Sequence, residues 1–260
     1  MRPLAELDAS AVDALLLDID DTLTTHGKLG AQAYAALERL QRAGKRVVPV
    51  TGRPAGWCDH IARMWPVDAV VGENGAFYFW FGEGRLHKRF IDEAAVRAGK
   101  RALLDGVAQR ILQQVPGAAL ASDQPYRETD LAIDFREDVA PLSLEAAERI
   151  AALMREAGLT ARISSIHVNG WFGEYDKLST TRLLLRERFA IDAHAANRRL
   201  VFAGDSPNDA AMFAYFENSV GVANVRRFAG LQPKFVTRAE SGEGFAELAA
   251  HLLSPTNDSA

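Results

Sequence analysis

Three carboxylates and two hydroxyls close an apolar run near the start of the chain, Leu15-Leu16-Leu17-Asp18-Ile19-Asp20-Asp21-Thr22-Leu23-Thr24. Leu15–Leu17 reads as a buried strand, and Asp18, Asp20 and Asp21 crowd its carboxyl end, where open α/β sheets bind ligands. Alternate strand residues share a face, so Asp18 and Asp20 can enter one pocket. Two like charges roughly 4 Å apart repel by about 4 kcal/mol at an effective dielectric of ~20. Such a pair needs a cation, a raised pKa or a wet site. A second acidic group, Gly204-Asp205-Ser206-Pro207-Asn208-Asp209, follows the apolar stretch Leu200–Ala203. One reading makes it a helix start, with Ser206 as N-cap, Pro207 at the first position and Asp209 favourable to the dipole. Carboxylates ending two separate strands point elsewhere, because neighbouring strands bring them together. Asp18, Asp20 and Asp205 then form a hard-oxygen site suited to Mg²⁺.

Thr51 and Lys177 extend this set. Thr51 ends another buried strand, where its hydroxyl and nearby N–H groups can hold an anionic oxygen; the alternative is an N-cap before Pro54. Lys177 opens a helix, where a cation faces the unfavourable end of the dipole. The acids Asp18, Asp20, Asp21, Asp205 and Asp209 outnumber Arg53 and Lys177. A dianion therefore cannot enter without a bound metal, whereas with one the site becomes an electrostatic clamp for a phosphoryl group. Carboxylate nucleophile, Mg²⁺, lysine and hydroxyl together fit phosphoryl transfer.

These residues must be positioned by alternating strands and helices. Ala31–Ala43 has helical apolar spacing and a stop at Gly44; Arg46–Val50 is a strand; Pro54 opens a helix to about Met64. Asp68–Val71 is a third strand, closed by the turn Glu73-Asn74-Gly75. This alternation predicts an α/β fold with a doubly wound parallel sheet. The pattern then changes near Gly82–Arg85. A helix over Glu93–Val115, strands Ala118–Ala121 and Asp130–Phe135, a helix over Leu144–Ala157 and strands Thr160–Ser164 and Ile166–Trp171 describe a small α+β sheet covered on one face. Alternation resumes with a helix from Lys177 to Phe189, the strand Leu200–Ala203, a helix from Pro207, strands near Val220–Val222 and Phe235–Val236, and a last helix, Gly244–Leu253. The expected organisation is a catalytic core of residues 1–84 and 174–260 with an inserted domain, 85–173.

Composition is that of a soluble enzyme: 260 residues, 48% hydrophobic, net charge −4 and no Lys/Arg-rich block. Nucleic acid and anionic membranes are not expected partners. Cys58 is the lone cysteine, so no internal disulfide forms and a cytoplasmic setting is expected. The segment from Met1 to Asp8 lacks the apolar stretch of a secretion signal. No run approaches the ~18 apolar residues of a membrane span. The tail from Ser254 to Ala260 reads as unstructured, and oligomeric state is not legible.

Asp18-Ile19-Asp20-Asp21-Thr22-Leu23, Thr51-Gly52-Arg53, Lys177 and Gly204-Asp205-Ser206-Pro207-Asn208-Asp209 resemble, in order, the four motifs of the haloacid dehalogenase superfamily. The insertion between the second and third motifs is similar to that of its sugar-phosphatase branch with a large α/β cap, which includes Cof-type, sucrose-phosphate and mannosyl-3-phosphoglycerate phosphatases. Asp21 departs from the pattern, since many relatives carry glycine there. The resemblance implies a Rossmann-like core and a Mg²⁺-dependent phosphatase acting on a sugar phosphate or a mannosyl-3-phosphoglycerate-like metabolite. Asp18 would attack phosphorus, and Asp20 would protonate the leaving alkoxide and then activate water. Thr51 and Lys177 would stabilise the transferring oxygens. Mg²⁺ would be held by Asp18, Asp20 through its main-chain carbonyl, and Asp205, with Asp209 and Asn208 supporting its shell. Gly52, Arg53, Asn74 and Asn208 would meet substrate.

Specificity is expected from the inserted domain. Arg127, His167 and Asn169 are candidates for a second anionic or hydroxylated group; the other readings are a surface salt bridge for Arg127 and solvent-facing strand positions for His167 and Asn169. The aromatic run Phe77–Phe81 reads as core packing, and Gly82–Gly84 and Gly170–Gly173 as linkers on which the cap closes. A phosphomutase of the same superfamily and a receiver-like phospho-acceptor module remain alternatives to a hydrolase.

Overall fold

The computed structural model describes residues 1–254, so all but the first residue of the polar tail lies outside the described residues. Its strands are β1 (Arg2–Pro3), β2 (Ala14–Leu17), β3 (Arg46–Pro49), β4 (Val70–Gly72), β5 (Phe77–Gly82), β6 (Arg85–Phe90), β7 (Ala119–Leu120), β8 (Leu131–Asp134), β9 (Thr160–Ile163), β10 (His167–Trp171), β11 (Leu200–Gly204), β12 (Asn218–Gly221) and β13 (Phe235–Val236). The helices are α1 (Ala31–Arg42), α2 (Ala55–Met64), α3 (Ala94–Gln114), α4 (Leu144–Glu156), α5 (Lys177–Phe189), α6 (Ala210–Tyr215) and α7 (Ser241–Leu253).

Six parallel strands run in the order β1-β13-β12-β11-β2-β3. Apolar side chains alternate through this sheet: Leu15, Leu17, Val47 and Val201 face α1, α2 and α7, while Leu16, Val48 and Phe202 face α5 and α6. Burial on both faces is why β2 is a continuous leucine run rather than an alternating one. Chain direction through the sheet reverses at β2, which lies between β11 and β3. The ends of these three strands therefore open on one crevice.

The third strand departs from the sequence expectation. β4 touches the parallel sheet through a single bridge, Val50 with Val71, and pairs instead with β5 in an antiparallel sheet completed by β6. Glu73-Asn74-Gly75 is a tight helical turn with Glu73 and Asn74 at φ 42° and 55°. At Gly75 (φ 107°) a Cβ would lie 2.1 Å from the Asp176 carbonyl oxygen, so only glycine lets this turn press on the start of α5. Phe77 and Phe79 join one side of the core and Tyr78 the other, as expected of core packing. Gly82–Gly84 is the turn of the β5–β6 hairpin rather than a linker. Leu86 and Phe90 of β6, and Ile91 after it, pack on the core cluster.

The inserted part has an antiparallel sheet, β7-β8-β10-β9. Leu131, Ile133 and Val168 pack with α3 and α4 around Leu104, Ile111 and Ile150. Strand alternation turns His167, Asn169 and Trp171 to the other face. That face meets the core. Trp171 belongs to the core cluster, and His167 and Asn169 are only 3% and 4% exposed. This overturns the solvent-facing reading, because a sheet with helices on one side here has its other side covered by the core.

Candidate active site

Asp18 continues β2: its N–H donates to the Ala203 carbonyl (2.9 Å), which ties it to β11 just before Asp205. Oxygens of Asp18, Asp205 and Asp209 lie within 4.8 Å of one another, and all three residues are buried. Lys177, first residue of α5, donates from Nζ to Asp18 Oδ1 and Asp209 Oδ1, both at 2.8 Å. Asp176 caps that helix by accepting from the Ser179 N–H, which offsets the unfavourable dipole at Lys177. Asp209 takes its other bonds on Oδ2, from the N–H groups of Asp205 (3.1 Å) and Ser206 (3.3 Å). It thus serves the turn and orients Lys177 at once. Gly204 permits this, since a Cβ there would sit 2.4 Å from Asp209 Oδ2.

Among the described residues, Asp205 meets no cationic side chain at bonding distance. Thr22 Oγ1 donates to its Oδ1 (3.2 Å) and Asn224 Nδ2 to its Oδ2 (3.0 Å). Asn224 also donates to the Asp21 carbonyl (3.0 Å). Asp21 lies at φ 56°, a left-handed position that suits glycine and that aspartate tolerates; this accounts for its departure from the family pattern.

Thr51 is fully buried. Its Oγ1 accepts the Arg53 N–H at 3.0 Å, and Pro54 stands at the N-cap of α2 with no side-chain cap, so the N-cap reading of Thr51 falls. The Thr51 hydroxyl proton remains available to an incoming acceptor. Arg53 binds Asp20 through Nε and Nη2 (both 2.9 Å to their nearest oxygens), with its guanidinium over the Trp57 ring. Asp20 faces the same small cavity as Asp18, but its carboxylate is held by Arg53 and stands outside the three-carboxylate cluster. Gly52 offers its carbonyl to Arg127. Asn74 borders a neighbouring cavity of about 260 Å³ with Lys177 and Asn208, and its buried Nδ2 has no hydrogen-bond partner among the described residues. Asn208 Oδ1 accepts from Ser206 Oγ (2.8 Å).

Burial pushes the Asp18 carboxyl up to about 7, with Asp209 and Asp20 adding to it and Lys177 opposing. Asp205 is pushed well up by burial and by its carboxylate neighbours. Burial pulls Lys177 down, but Asp18 and Asp209 outweigh it and raise its pKa. Three buried carboxyl groups share one ammonium, so two negative charges are uncompensated whenever all three are ionised. An all-oxygen donor set of this charge fits a divalent cation of the Mg²⁺ kind.

The inserted domain contributes more than sequence reasoning supplied. Arg127 is buried rather than a surface pair: it binds Asp123 (2.9 Å) and Asp130 (3.0 Å) and donates to the Gly52 carbonyl (2.9 Å). Asn169 Nδ2 donates to Asp130 Oδ2 (2.9 Å). Glu73 was placed only in a turn, yet its Oε1 accepts from Ala55 N and Glu128 N (2.9 Å each). Its Oε2 accepts from Thr129 N (2.7 Å), Asp130 N (3.2 Å) and the Thr129 hydroxyl. Burial and Asp130 push its carboxyl up to about 7, against Arg127 and these bonds. A carboxylate following the apolar Val70-Val71-Gly72 was the available signal, because a buried charge demands donors. Asn224 and Glu137, which binds Arg53, had none.

Known proteins resemble this chain in sequence and in fold. Residues 15–109 match the haloacid dehalogenase-like hydrolases. The chain is 28% identical to a phosphoglycolate phosphatase of Haloarcula marismortui, covering 91% of this chain and 95% of that one. Among solved structures, a Thermoplasma acidophilum protein superposes with a TM-score of 0.69 at 18% identity, covering 93% and 98% of the two chains. A subclass IIB sugar phosphatase of the same superfamily superposes at 0.61 and 15% identity, covering 92% and 98%. Similarity in sequence to the haloacid dehalogenase-like hydrolases thus lies in residues 15–109, and likeness in fold to the capped sugar phosphatase extends over nearly the whole chain.

Proposed function

We propose that this enzyme, a phosphoric monoester hydrolase, removes phosphate from a small metabolite with Mg²⁺ through an aspartyl phosphate on Asp18. The observation that carries this reading is the buried Asp18 carboxylate held between Lys177 and the cation-free Asp205. Asp18 attacks phosphorus and the ester oxygen leaves. Lys177 opposes protonation of the nucleophile and screens charge on the transferring group. The Thr51 hydroxyl, already accepting a backbone N–H, donates to a phosphoryl oxygen. Asp20, aimed by Arg53, protonates the departing alkoxide and then takes a proton from the water that hydrolyses the acyl phosphate. Asp18, Asp205 and the Asp20 main-chain carbonyl would hold Mg²⁺, with Asp209 behind them; the ion would supply neutralisation of the phosphoryl oxygens.

The substrate class follows less directly. Relatives named phosphoglycolate phosphatase favour a short phosphorylated acid; sugar phosphates and mannosyl-3-phosphoglycerate are the wider class to set against it. A cytoplasmic setting is part of the proposal. Cys58 is a buried thiol, and among the described residues no helix is long and apolar enough to cross a membrane.

A screen for Mg²⁺-dependent phosphate release should include 2-phosphoglycolate, hexose phosphates, sucrose 6-phosphate and mannosyl-3-phosphoglycerate. Release of free phosphate separates hydrolase from mutase. Asp18→Asn is expected to lower turnover at least ~10³-fold while the fold persists; near-normal activity refutes the nucleophile.

A further inference from the structure

The cavity bordered by Asp18, Asp20, Arg53, His167 and Asn169 holds only about 20 Å³, room for roughly one water and far less than any phosphoester. Substrate entry therefore requires the lining of this cavity to move, and Arg53 and His167 are charged or polar parts of that lining. One group meets both. The Glu137 carboxylate, on the loop after β8, accepts from Arg53 Nη2 (2.8 Å) and Nη1 (3.4 Å). His167 Nε2 lies 2.9 Å from Glu137 Oε2, but without the alignment of a hydrogen bond, and this buried nitrogen has no other partner among the described residues. Arg53 thus offers one edge to Asp20 and its Nη1/Nη2 fork to an anion. Asp134 presents that anion: its carboxylate accepts the N–H groups of Arg136, Glu137 and Asp138 at 2.8–2.9 Å. Glu137 itself keeps a quarter of its surface in solvent, so it can withdraw.

We propose that Arg53 and His167 form a subsite for a carboxylate on the substrate, and that Glu137 occupies it as an internal stand-in until substrate displaces it. This rests on the phosphatase reading and narrows its substrate class to short phosphoesters carrying a carboxylate. Exchange of one carboxylate for another leaves the local charge unchanged. An uncharged substrate leaves Glu137 in place, where it fills the space, or leaves the Arg53 fork with only Asp123, 3.5 Å from Nη1.

The test compares 2-phosphoglycolate with ethyl phosphate, of similar length but without the second anion, on wild type, Glu137→Gln and His167→Gln. Wild type is expected to prefer 2-phosphoglycolate in kcat/KM by at least about tenfold, the value of one charged hydrogen bond. Glu137→Gln should lower KM for 2-phosphoglycolate about fivefold or more and move ethyl phosphate much less, since only the carboxylate competes with Glu137. His167→Gln should shrink the preference between the two esters. Glu137→Gln shifting both esters equally would make Glu137 only a clasp between the domains and overturn the subsite. A wild type without preference would overturn it too. Absence of hydrolysis of any ester, p-nitrophenyl phosphate included, would instead sink the phosphatase reading.

Discussion

Replacing Glu73 by glutamine tests whether one buried carboxylate docks the cap on the core. Its two oxygens receive five donors, four of them backbone N–H groups, from α2 of the core and from residues 128–130 of the cap. Glutamine keeps the shape and one acceptor oxygen. With that oxygen facing Thr129 and Asp130, the amide NH₂ confronts the N–H groups of Ala55 and Glu128, and two buried donors lose their partner. Each loss costs about 1–3 kcal/mol. Relief from burying a charge offsets part of this, so about 3 kcal/mol is expected overall. For a protein of this size that corresponds to a fall in Tm of about 6–12 °C. Glu73→Ala removes every acceptor and should fall further. The same turn carries Asn74 to the cavity beside Lys177, so Glu73→Gln should also raise KM. Scanning calorimetry, urea unfolding and steady-state kinetics read these effects. A Glu73→Gln protein within about 0.5 kcal/mol of wild type would refute the clasp.

Two other outcomes follow from the core site. Lys177→Met leaves Asp18 and Asp209 buried without their shared cation, so a stability loss of about 3–5 kcal/mol should appear as a lower urea midpoint together with lost turnover; an unchanged midpoint contradicts the pairing. Burial holds the Asp18 carboxyl at about 7, above its ordinary range, so the ion-free protein carries a proton there below that pH and loses stability as pH rises from about 4 through 7. Mg²⁺ needs the ionised forms of Asp18 and Asp205, both raised, so its affinity should climb by about tenfold or more per pH unit below 7, with proton release in titration calorimetry; flat affinity between pH 5.5 and 8 counts against Asp18 as a ligand.

The core was legible because its signals are local. A leucine run followed by aspartates identifies a strand end, and parallel pairing of β11, β2 and β3 brings Asp18, Thr51 and Asp205 together. The cap strands and helices were legible from periodicity, and the faces they present were not. Whether His167 looks to water or to the catalytic crevice depends on how the cap sheet docks, which no local pattern of Ile166–Trp171 encodes. The β5–β6 hairpin is not legible because its aromatic first strand has no polar alternation: both faces of Phe77–Phe79 are buried. Glu137 and Asn224 act only through partners far along the chain, Arg53 at a separation of 84 residues and Asp205 at 19.

Charge couples the parts of this site. When all three carboxyls of the core are ionised they exceed Lys177 by two charges, so a phosphate dianion brought to that ion-free pocket meets net repulsion in a medium that screens poorly. A divalent cation cancels that excess, and the dianion then enters a neutral site with Lys177 and the Thr51 hydroxyl directed at it. Cation and substrate must therefore each raise the affinity of the other, by the same factor. Closure joins the same linkage, because Arg53 spans the two domains through Asp20 on one edge and Glu137 on the other. Under the proposed mechanism, a ligand that takes the Glu137 edge would draw on the guanidinium that holds Asp20, so the cap would sense the substrate through the partner of the proposed proton donor.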